Sequence, residues 1–240
     1  MKQLIIFDLD RTIYNGSLGQ DFILHLAAKQ LISPKIISNL SITLVEYETE
    51  ILSYEKTVSI VLNYLAKELA GKDFEAIDRE AKNFVNMNHF KFYDYSIELP
   101  KLYPQYEFLL LSLEPEFLLK HVANLLKIQN YIGNKFKHNK KIFTNNFKIT
   151  TNKIELIKET KFQDMEILAA FGDSESDFEI LNRATHKFLI NPSQNLLTQS
   201  EGLGFIQPEI NLVYQKFKEL VSNWVLGICL NTRNWSGINL

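Results

Sequence analysis

The sequence predicts an α/β fold in which a parallel β-sheet is flanked by helices and a helical cap domain is inserted after the first strand. Continuous apolar runs, each followed by a polar or acidic turn, are typical of strands buried on both faces of a parallel sheet. Helical periodicity fills most of the long segment between the first two of these runs. A chain of 240 residues is long enough for one large domain or for a core domain with a smaller one.

The first strand is predicted at the apolar run that begins at Leu4, and it ends at two acidic residues, Asp8 and Asp10. In open parallel sheets, chemistry gathers at the carboxyl ends of the strands. Asp8 and Asp10 would point the same way if the strand continued, because side chains repeat every two residues. Such close carboxylates repel each other unless a cation lies between them, and Mg²⁺ prefers oxygen ligands. Taken alone, the pair is also compatible with an ordinary surface turn.

Residues 16–97 are predicted to form the helical cap. Apolar residues recur at helical spacing over 22–31, 58–69 and 74–84, with no recognisable buried strand among them. The segment between the first two strands is long for a single crossover, so we favour a cap over ordinary crossover helices. Residues 1–15 and 98–207 would then form the α/β core, and residues 208–240 a C-terminal helix and tail.

The second strand is predicted over residues 107–112, with the hydroxyl group of Ser112 at its end. A helix follows Pro115, and proline and acids are typical of a helix N-terminus. Ser112 would lie beside free backbone N–H groups at the positive end of the helix dipole, where an anion can bind. Helix capping by Ser112 is the alternative. We interpret Glu114 as an acid of the helix start.

Lys153 is predicted to begin a short amphipathic helix, where a cation is mildly unfavourable for the helix dipole. An anionic partner would explain its position, and an ordinary surface lysine is the alternative. A third buried run then leads into the acidic loop Gly172-Asp173-Ser174-Glu175-Ser176-Asp177. From this loop Asp173 would reach a metal ion held by Asp8, and Asp177 lies one helical turn further on.

The remaining stretches predict a hairpin around Asn145 and Asn146, a last short strand over 187–190, and a C-terminal helix with one apolar face. The apolar run 224–230 after that helix is interpreted as a core segment, a dimer contact or a membrane-surface element, in that order.

Composition and charge exclude several classes of protein. A net charge of −2 provides no basic field for nucleic acid. The single cysteine, Cys229, excludes an intramolecular disulfide framework and fits a reducing compartment. The N-terminal apolar run is too short for a signal peptide, and no run reaches the length of a membrane span. We therefore expect a cytoplasmic monomer or homodimer that acts on a small molecule.

Four of these stretches together resemble the haloacid dehalogenase (HAD) superfamily of hydrolases. They are, in order, Asp8-Leu9-Asp10-Arg11-Thr12, Ser112, Lys153 and Gly172-Asp173-Ser174-Glu175-Ser176-Asp177. The helical insertion after the first motif looks like the cap of the phosphoserine-phosphatase-like branch. The resemblance covers roughly residues 1–205 and implies a Rossmann-like, HAD-like core. It implies a Mg²⁺-dependent phosphatase that hydrolyses a small phosphomonoester through an aspartyl-phosphate intermediate.

The resemblance also implies catalytic roles. Asp8 would be the nucleophile that forms the aspartyl-phosphate. Asp10 would be the general acid that protonates the leaving oxygen and then the base that activates water. Ser112 and Lys153 would bind the phosphoryl oxygens and stabilise charge in the transition state.

The same resemblance implies a Mg²⁺ site. Asp8, the backbone carbonyl of Asp10 and Asp173 would hold the ion, while Asp177 would support the site or orient Lys153. Two departures from the family pattern concern the substrate. Arg11 stands where a small residue is common, so it would either bind a second anionic group of the substrate or lie on the surface.

The second departure disfavours free phosphoserine as the substrate. Phosphoserine phosphatases carry an acidic residue shortly after the first motif and an arginine in the cap. The corresponding places here look like Ser17 and the neighbourhood of Ser59, and the predicted cap has no arginine before Arg79. Two alternatives to the phosphatase stay open. One is a catalytically weak HAD-fold protein that binds a phosphorylated ligand or partner, and the other is a phosphotransferase or mutase-like relative.

Overall fold

A five-stranded parallel sheet forms the centre of the computed structural model, which describes residues 3–145, 147–158 and 160–222. The strand order is β3-β2-β1-β6-β7, and a two-stranded hairpin, β4-β5, stands apart from the sheet. The strands are β1 (Leu4–Phe7), β2 (Glu107–Pro115), β3 (Asn130–Asn134), β4 (His138–Asn139), β5 (Ile142–Phe143), β6 (Ile167–Gly172) and β7 (His186–Leu189).

Five α-helices lie between β1 and β2 and form the cap, and the others follow strands of the core. The cap helices are α1 (Leu18–Ala28), α2 (Lys35–Glu48), α3 (Tyr54–Leu69), α4 (Phe74–Met87) and α5 (Asp94–Leu102). The core helices are α6 (Glu116–Leu126), α7 (Lys153–Ile157), α8 (Phe178–Arg183) and α9 (Gln194–Ser200). Residues 213–222 are also helical. The predicted fold class is confirmed, whereas the domain boundaries stay a prediction.

The central strand β1 is buried on both faces, as its uninterrupted apolar run predicted. Ile5 and Phe7 belong to a large apolar cluster that continues into the cap helices, whereas Leu4 and Ile6 belong to a smaller cluster on the opposite face. This alternation follows from the two-residue repeat of a strand. Because β1 pairs with β2 on one side and β6 on the other, its carboxyl end lies between theirs.

Helices α1, α3 and α4 match the three predicted helical stretches, but α2 and α5 were not predicted. The apolar residues of α2 do not form one stripe, since Ile42 and Val45 are exposed while Ile36 and Leu40 are buried. Helix α5 contains Pro100, a residue that usually ends a helix. Propensity and periodicity therefore gave no clear helical signal in either stretch.

Two local predictions were wrong. The hairpin turns after Asn139, between β4 and β5, rather than around Asn145, and Asn146 lies outside the described residues. Strand β2 continues to Pro115, so Glu114 is a strand residue and does not belong to the start of α6. Pairing of Pro115 with Asn134 of β3, which is not visible in a local pattern, extends β2 beyond Ser112.

The C-terminal helix packs on the core as predicted, with Val213, Phe217 and Val221 buried. The apolar run 224–230, including Cys229, lies outside the described residues. Within the described part of the chain, no helix is long and apolar enough to cross a membrane.

Candidate active site

Three side chains from adjacent strands meet at the carboxyl edge of the sheet. Asp8 follows β1, Ser112 lies on β2 and Asp173 follows β6, and all three are buried. The backbone N–H of Asp8 donates to the carbonyl of Phe171 at 3.0 Å, which continues the pairing of β1 with β6 for one more residue. The structure thus brings together the residues that the sequence placed at three separate strand ends.

Lys153 lies inside this cluster because of the helix that it begins. The side chain of Asn152 caps α7 by accepting hydrogen bonds from the backbone N–H groups of Ile154 (2.7 Å) and Glu155 (3.3 Å). Lys153 is 3% exposed, and its Nζ donates to Oδ1 of Asp8 and to Oδ1 of Asp177. Its expected anionic partners are therefore two carboxylates of the protein.

The charge of Lys153 is held in place by those carboxylates. Burial alone would lower the pKa of the amine, but the negative charges of Asp177 and Asp8 outweigh it and raise the pKa. Lys153 therefore carries its positive charge into a buried site, where electrostatic interactions are stronger than in water.

Asp177 organises the acidic loop. Its Oδ2 accepts hydrogen bonds from the backbone N–H groups of Asp173 (3.2 Å) and Ser174 (3.1 Å), and from Oγ of Ser174 (3.0 Å). The loop comes so close to the end of β6 that a Cβ on Gly172 would lie 2.5 Å from the Cβ of Asp177. Glycine is therefore required there by space, and Asp173 is presented toward Asp8 as a result.

The arrangement of three buried carboxylates fits a divalent cation. Asp8, Asp173 and Asp177 each offer an oxygen atom, and these atoms all lie within 4.8 Å of one another. Burial, with the charges of Asp8 and Asp177, raises the pKa of Asp173 well above its ordinary value. Burial and the charge of Asp177 also raise the pKa of Asp8. Mg²⁺ prefers hard, negatively charged oxygen donors such as these carboxylates.

Arg11 partly compensates that negative charge. Its backbone adopts a left-handed conformation with φ of 54°, and its Nε donates to Oδ2 of Asp173 at 2.6 Å. The side chain is 45% exposed. Arg11 is therefore a partly exposed residue that already forms an ion pair with Asp173. Its contact with an anionic group of the substrate stays a prediction.

Asp10 lies next to Asp8 and faces the start of the cap. Its Oδ1 accepts a hydrogen bond from the backbone N–H of Leu18 at 2.7 Å, at the first residue of α1. Burial, then the negative charges of Glu114 and Asp8, raise the pKa of Asp10 well above its ordinary value. The raised pKa favours the protonated form of Asp10, which is the form that a general acid requires.

Glu114 is the carboxylate that sequence reasoning missed. Burial raises its pKa to about 7, and its Oε2 has no hydrogen-bond partner among the described residues. Its carboxyl group lies so close to Gly19 of α1 that a Cβ there would meet it at 2.2 Å. One signal was present in the sequence, since Ser112 and Glu114 are two residues apart and share a face of a strand.

Tyr54, the first residue of α3, extends from the cap to the catalytic edge. Burial raises the pKa of its hydroxyl group. The charge of Lys153 lowers this pKa, and the charges of Asp173 and Asp8 raise it. Its ring packs edge to face on Tyr47, with centroids 6.2 Å apart. No local pattern could have indicated these contacts, because they join segments that are distant in the chain.

A cavity of about 420 Å³ connects the carboxylate cluster to the inside of the cap. Asp8, Asp10, Arg11, Ser112, Glu114, Lys153 and Asp173 line its polar end, and residues of α1, α2 and α3 line the rest. A wider groove on the other side of Tyr54 contains none of those seven residues. The cavity is therefore the place where a small molecule can meet the cluster.

Comparison with known families identifies the chain. The family model for haloacid dehalogenase-like hydrolases matches residues 5–182, which include every residue of the cluster. The chain belongs to this family. No curated protein sequence matches it.

Solved structures of HAD proteins and of phosphoserine phosphatases have similar folds. A protein of unknown function from Bordetella pertussis Tohama I aligns with a TM-score of 0.73 and 15% identity, over 88% of this chain and 99% of that one. A HAD family hydrolase from Salmonella enterica serovar Typhi gives a TM-score of 0.60 at 13% identity, over 88% and 70% of the two chains. Phosphoserine phosphatase from T. onnurineus gives 0.58 at 16% identity, over 91% and 95%.

These neighbours confirm the predicted branch of the superfamily. The phosphoserine phosphatases share the fold of this chain, with TM-scores of 0.58 for two of them. At such low identity the likeness concerns the fold, and the substrate of those enzymes does not transfer with it.

Proposed function

We propose that this HAD protein is a Mg²⁺-dependent phosphatase that hydrolyses a small phosphomonoester through an aspartyl-phosphate on Asp8. One observation carries the proposal: buried Asp8 lies beside Lys153 and Asp173 at the polar end of a cavity large enough for a small molecule. A buried carboxylate with an adjacent cation and a neighbouring acid is equipped for nucleophilic catalysis.

Asp8 and Asp10 divide the chemistry between them. A carboxylate oxygen of Asp8 attacks phosphorus while the bond to the leaving alcohol breaks, and protonated Asp10 gives its proton to the departing oxygen. Asp10, now a carboxylate, takes a proton from water as that water attacks the phosphorus of the aspartyl-phosphate. Inorganic phosphate leaves, and both side chains return to their starting forms. The raised pKa of Asp10 supports this role.

Lys153 and Ser112 bind the phosphoryl oxygens in this proposal. Lys153 is fixed by Asp8 and Asp177, so its charge needs no rearrangement when negative charge develops on the phosphoryl group. Ser112 accepts a hydrogen bond from the backbone N–H of Glu114 at 3.2 Å, which leaves its own hydroxyl proton available.

Asp8, Asp173 and the backbone carbonyl of Asp10 would hold Mg²⁺, with Asp177 as the supporting carboxylate. The ion supplies positive charge that offsets the repulsion between the phosphoryl group and these acids. The protein's own part is to keep three carboxylates within reach of one another in a buried site.

The proposal is tested by release of inorganic phosphate from a panel of phosphomonoesters, in Mg²⁺ and in EDTA. We expect turnover by the wild-type protein in Mg²⁺ only, and loss of at least about 10³-fold in Asp8→Asn. Asp164→Asn is the matched control, because Asp164 is an exposed aspartate that precedes β6 at the other end of that strand. Folded protein that binds Mg²⁺ but turns over no ester would contradict the proposal and favour the ligand-binding alternative.

A further inference from the structure

We infer that the substrate is the phosphomonoester of an uncharged, largely apolar alcohol. The inference rests on the proposed function, because it assumes that the phosphate lies at Asp8. It concerns the part of the cavity beyond the phosphate, where the leaving alcohol must fit. The walls and charges of that part carry the argument.

The cap side of the cavity is lined mainly by apolar side chains, with Gln20, Glu48 and Thr57 as polar ones among them. Its walls come from one face of α1, the end of α2 and one face of α3: Ile23, Leu44, Val58, Val61, Leu62 and Leu65. Three of these side chains are at most 4% exposed, and the other three are partly buried against the same core cluster. Apolar walls bind apolar ligand surface and leave buried polar groups of a ligand without partners.

The cap side of the cavity offers no cation for a second anionic group. Among the described residues that line the cavity, Arg11 and Lys153 are the only cations, and both lie at its polar end, where each is paired with a carboxylate. Arg11 pairs with Asp173, and Lys153 with Asp8 and Asp177. A carboxylate or second phosphate on the alcohol would therefore meet the apolar wall with no counter-charge.

Glu114 further disfavours substrates that carry a second anionic group. It lines the cavity next to Asp10, at the passage from the phosphate end to the cap. An anionic group of the leaving alcohol would have to lie against this carboxyl group, which offers it no counter-charge. Phosphoserine, which carries a carboxylate close to its phosphate, is disfavoured on both grounds.

Binding of non-hydrolysable alkylphosphonates separates this inference from the proposed hydrolysis. Calorimetry in Mg²⁺ would compare ethyl-, butyl- and hexylphosphonate with 3-phosphonopropionate, which carries a carboxylate. We expect affinity to rise about two- to fourfold for each added methylene until the apolar part of the cavity is filled. We expect 3-phosphonopropionate to bind more weakly than butylphosphonate.

A charge placed in the wall provides a second test. Val61→Lys should lower the affinity for hexylphosphonate by about tenfold or more. It should also reduce or reverse the difference in affinity between butylphosphonate and 3-phosphonopropionate. Val45→Lys is the matched control, since Val45 is an exposed valine of α2 that does not line the cavity. We expect Val45→Lys to bind the whole series as the wild-type protein does.

The outcomes are distinguishable. The inferred substrate class is wrong if the affinity does not rise with the length of the alkyl chain. It is also wrong if the wild-type protein binds 3-phosphonopropionate more tightly than butylphosphonate. If alkylphosphonates bind with the expected trend but alkyl phosphates release no inorganic phosphate, the cavity inference stands and the proposed hydrolysis fails. If phosphate is released fastest from a doubly anionic ester, the hydrolysis stands and the substrate class fails. The wild-type series decides these cases even if Val61→Lys does not fold.

Discussion

Lys153 shows how strongly single residues of this site depend on one another. Its ammonium group is the shared partner of Asp8 and Asp177 in a buried environment. Taking these charges out of water is costly, and the cost is offset only while the set is complete. The site is therefore built so that the loss of one charge affects its neighbours.

Replacing Lys153 with methionine tests that dependence. The change keeps most of the apolar stem but leaves Asp8 and Asp177 without their buried counter-charge. We expect the free energy of unfolding in EDTA to fall by about 3–5 kcal/mol, measured by urea denaturation. Lys158→Met is the control, because Lys158 is 59% exposed and should change stability by well under 1 kcal/mol. Equal effects of the two substitutions would contradict a buried charge network.

Glu114 gives the site a pH dependence. Its pKa of about 7 in the folded protein lies above the ordinary value of 4.5 because the group is buried. Between those two pH values the folded protein binds more protons than the unfolded chain. The contribution of Glu114 to stability should therefore fall as pH rises from about 4.5 to about 7 and then level off.

Glu114→Gln should remove that part of the pH dependence. We expect the variant to gain roughly 1–3 kcal/mol over the wild type at pH 8 in EDTA, and little at pH 4.5. Glu98→Gln, at an exposed glutamate of α5, should show no such change. Loss of the charge next to Asp10 should also lower the pKa of Asp10, so the alkaline limit of turnover should move to lower pH. A variant whose stability runs parallel to the wild type at all pH values would disprove the role of Glu114.

Among the elements, α7 has the most direct effect on the site although it is only five residues long. Asn152 caps it and so fixes the point at which Lys153 leaves the backbone. The sequence predicted that the helix begins at Lys153, from the apolar spacing that follows, but the cap by Asn152 is a finding of the structure. What the local pattern left open was the partner of Lys153, which depends on how α7 packs against the loop after β6.

Asn152→Ala tests the positioning role of that cap. We expect a stability loss of about 1 kcal/mol and a fall in kcat that exceeds any change in KM, because Lys153 would be less well placed in the transition state. Asp73→Ala is the matched control. Asp73 caps α4 through a 2.7 Å hydrogen bond from the backbone N–H of Ala76, and it does not line the cavity. Asp73→Ala should lower stability by a similar amount and leave kcat unchanged. Asn152→Asp, which keeps a capping side chain, should retain the turnover of the wild-type protein.

At the scale of the whole molecule, the sequence was informative wherever one element carried the signal. The buried strands β1 and β6 end at Asp8 and Asp173, so the edge of the sheet that holds the chemistry could be predicted from apolar runs alone. Glu114 and Tyr54 were missed because their importance arises from the docking of the cap on the core. The walls of the cavity were missed for the same reason. An apolar helix face has the same sequence pattern whether it packs against protein or lines a ligand cavity.

The proposed Mg²⁺ site would link the stability of the whole molecule to the ion. Asp8 and Asp173 lie on loops after neighbouring strands, so an ion held between them binds the folded chain and not the unfolded one. Stability should then rise by about 1.4 kcal/mol for each tenfold increase of Mg²⁺ above its dissociation constant. Urea denaturation over a MgCl₂ series would measure the rise, with NaCl of equal ionic strength to correct for screening.

Asp173→Asn should abolish most of that rise, because it removes one of the charged oxygen donors from a site with few others. It also leaves Arg11 without its carboxylate partner, so the variant should be compared with itself, with and without Mg²⁺, rather than with the wild type. Asp164→Asn should respond to Mg²⁺ as the wild type does. If Asp173→Asn is stabilised by Mg²⁺ to the same extent as the wild type, the ion binds elsewhere, and the carboxylate cluster is held together by Lys153 and Arg11 alone.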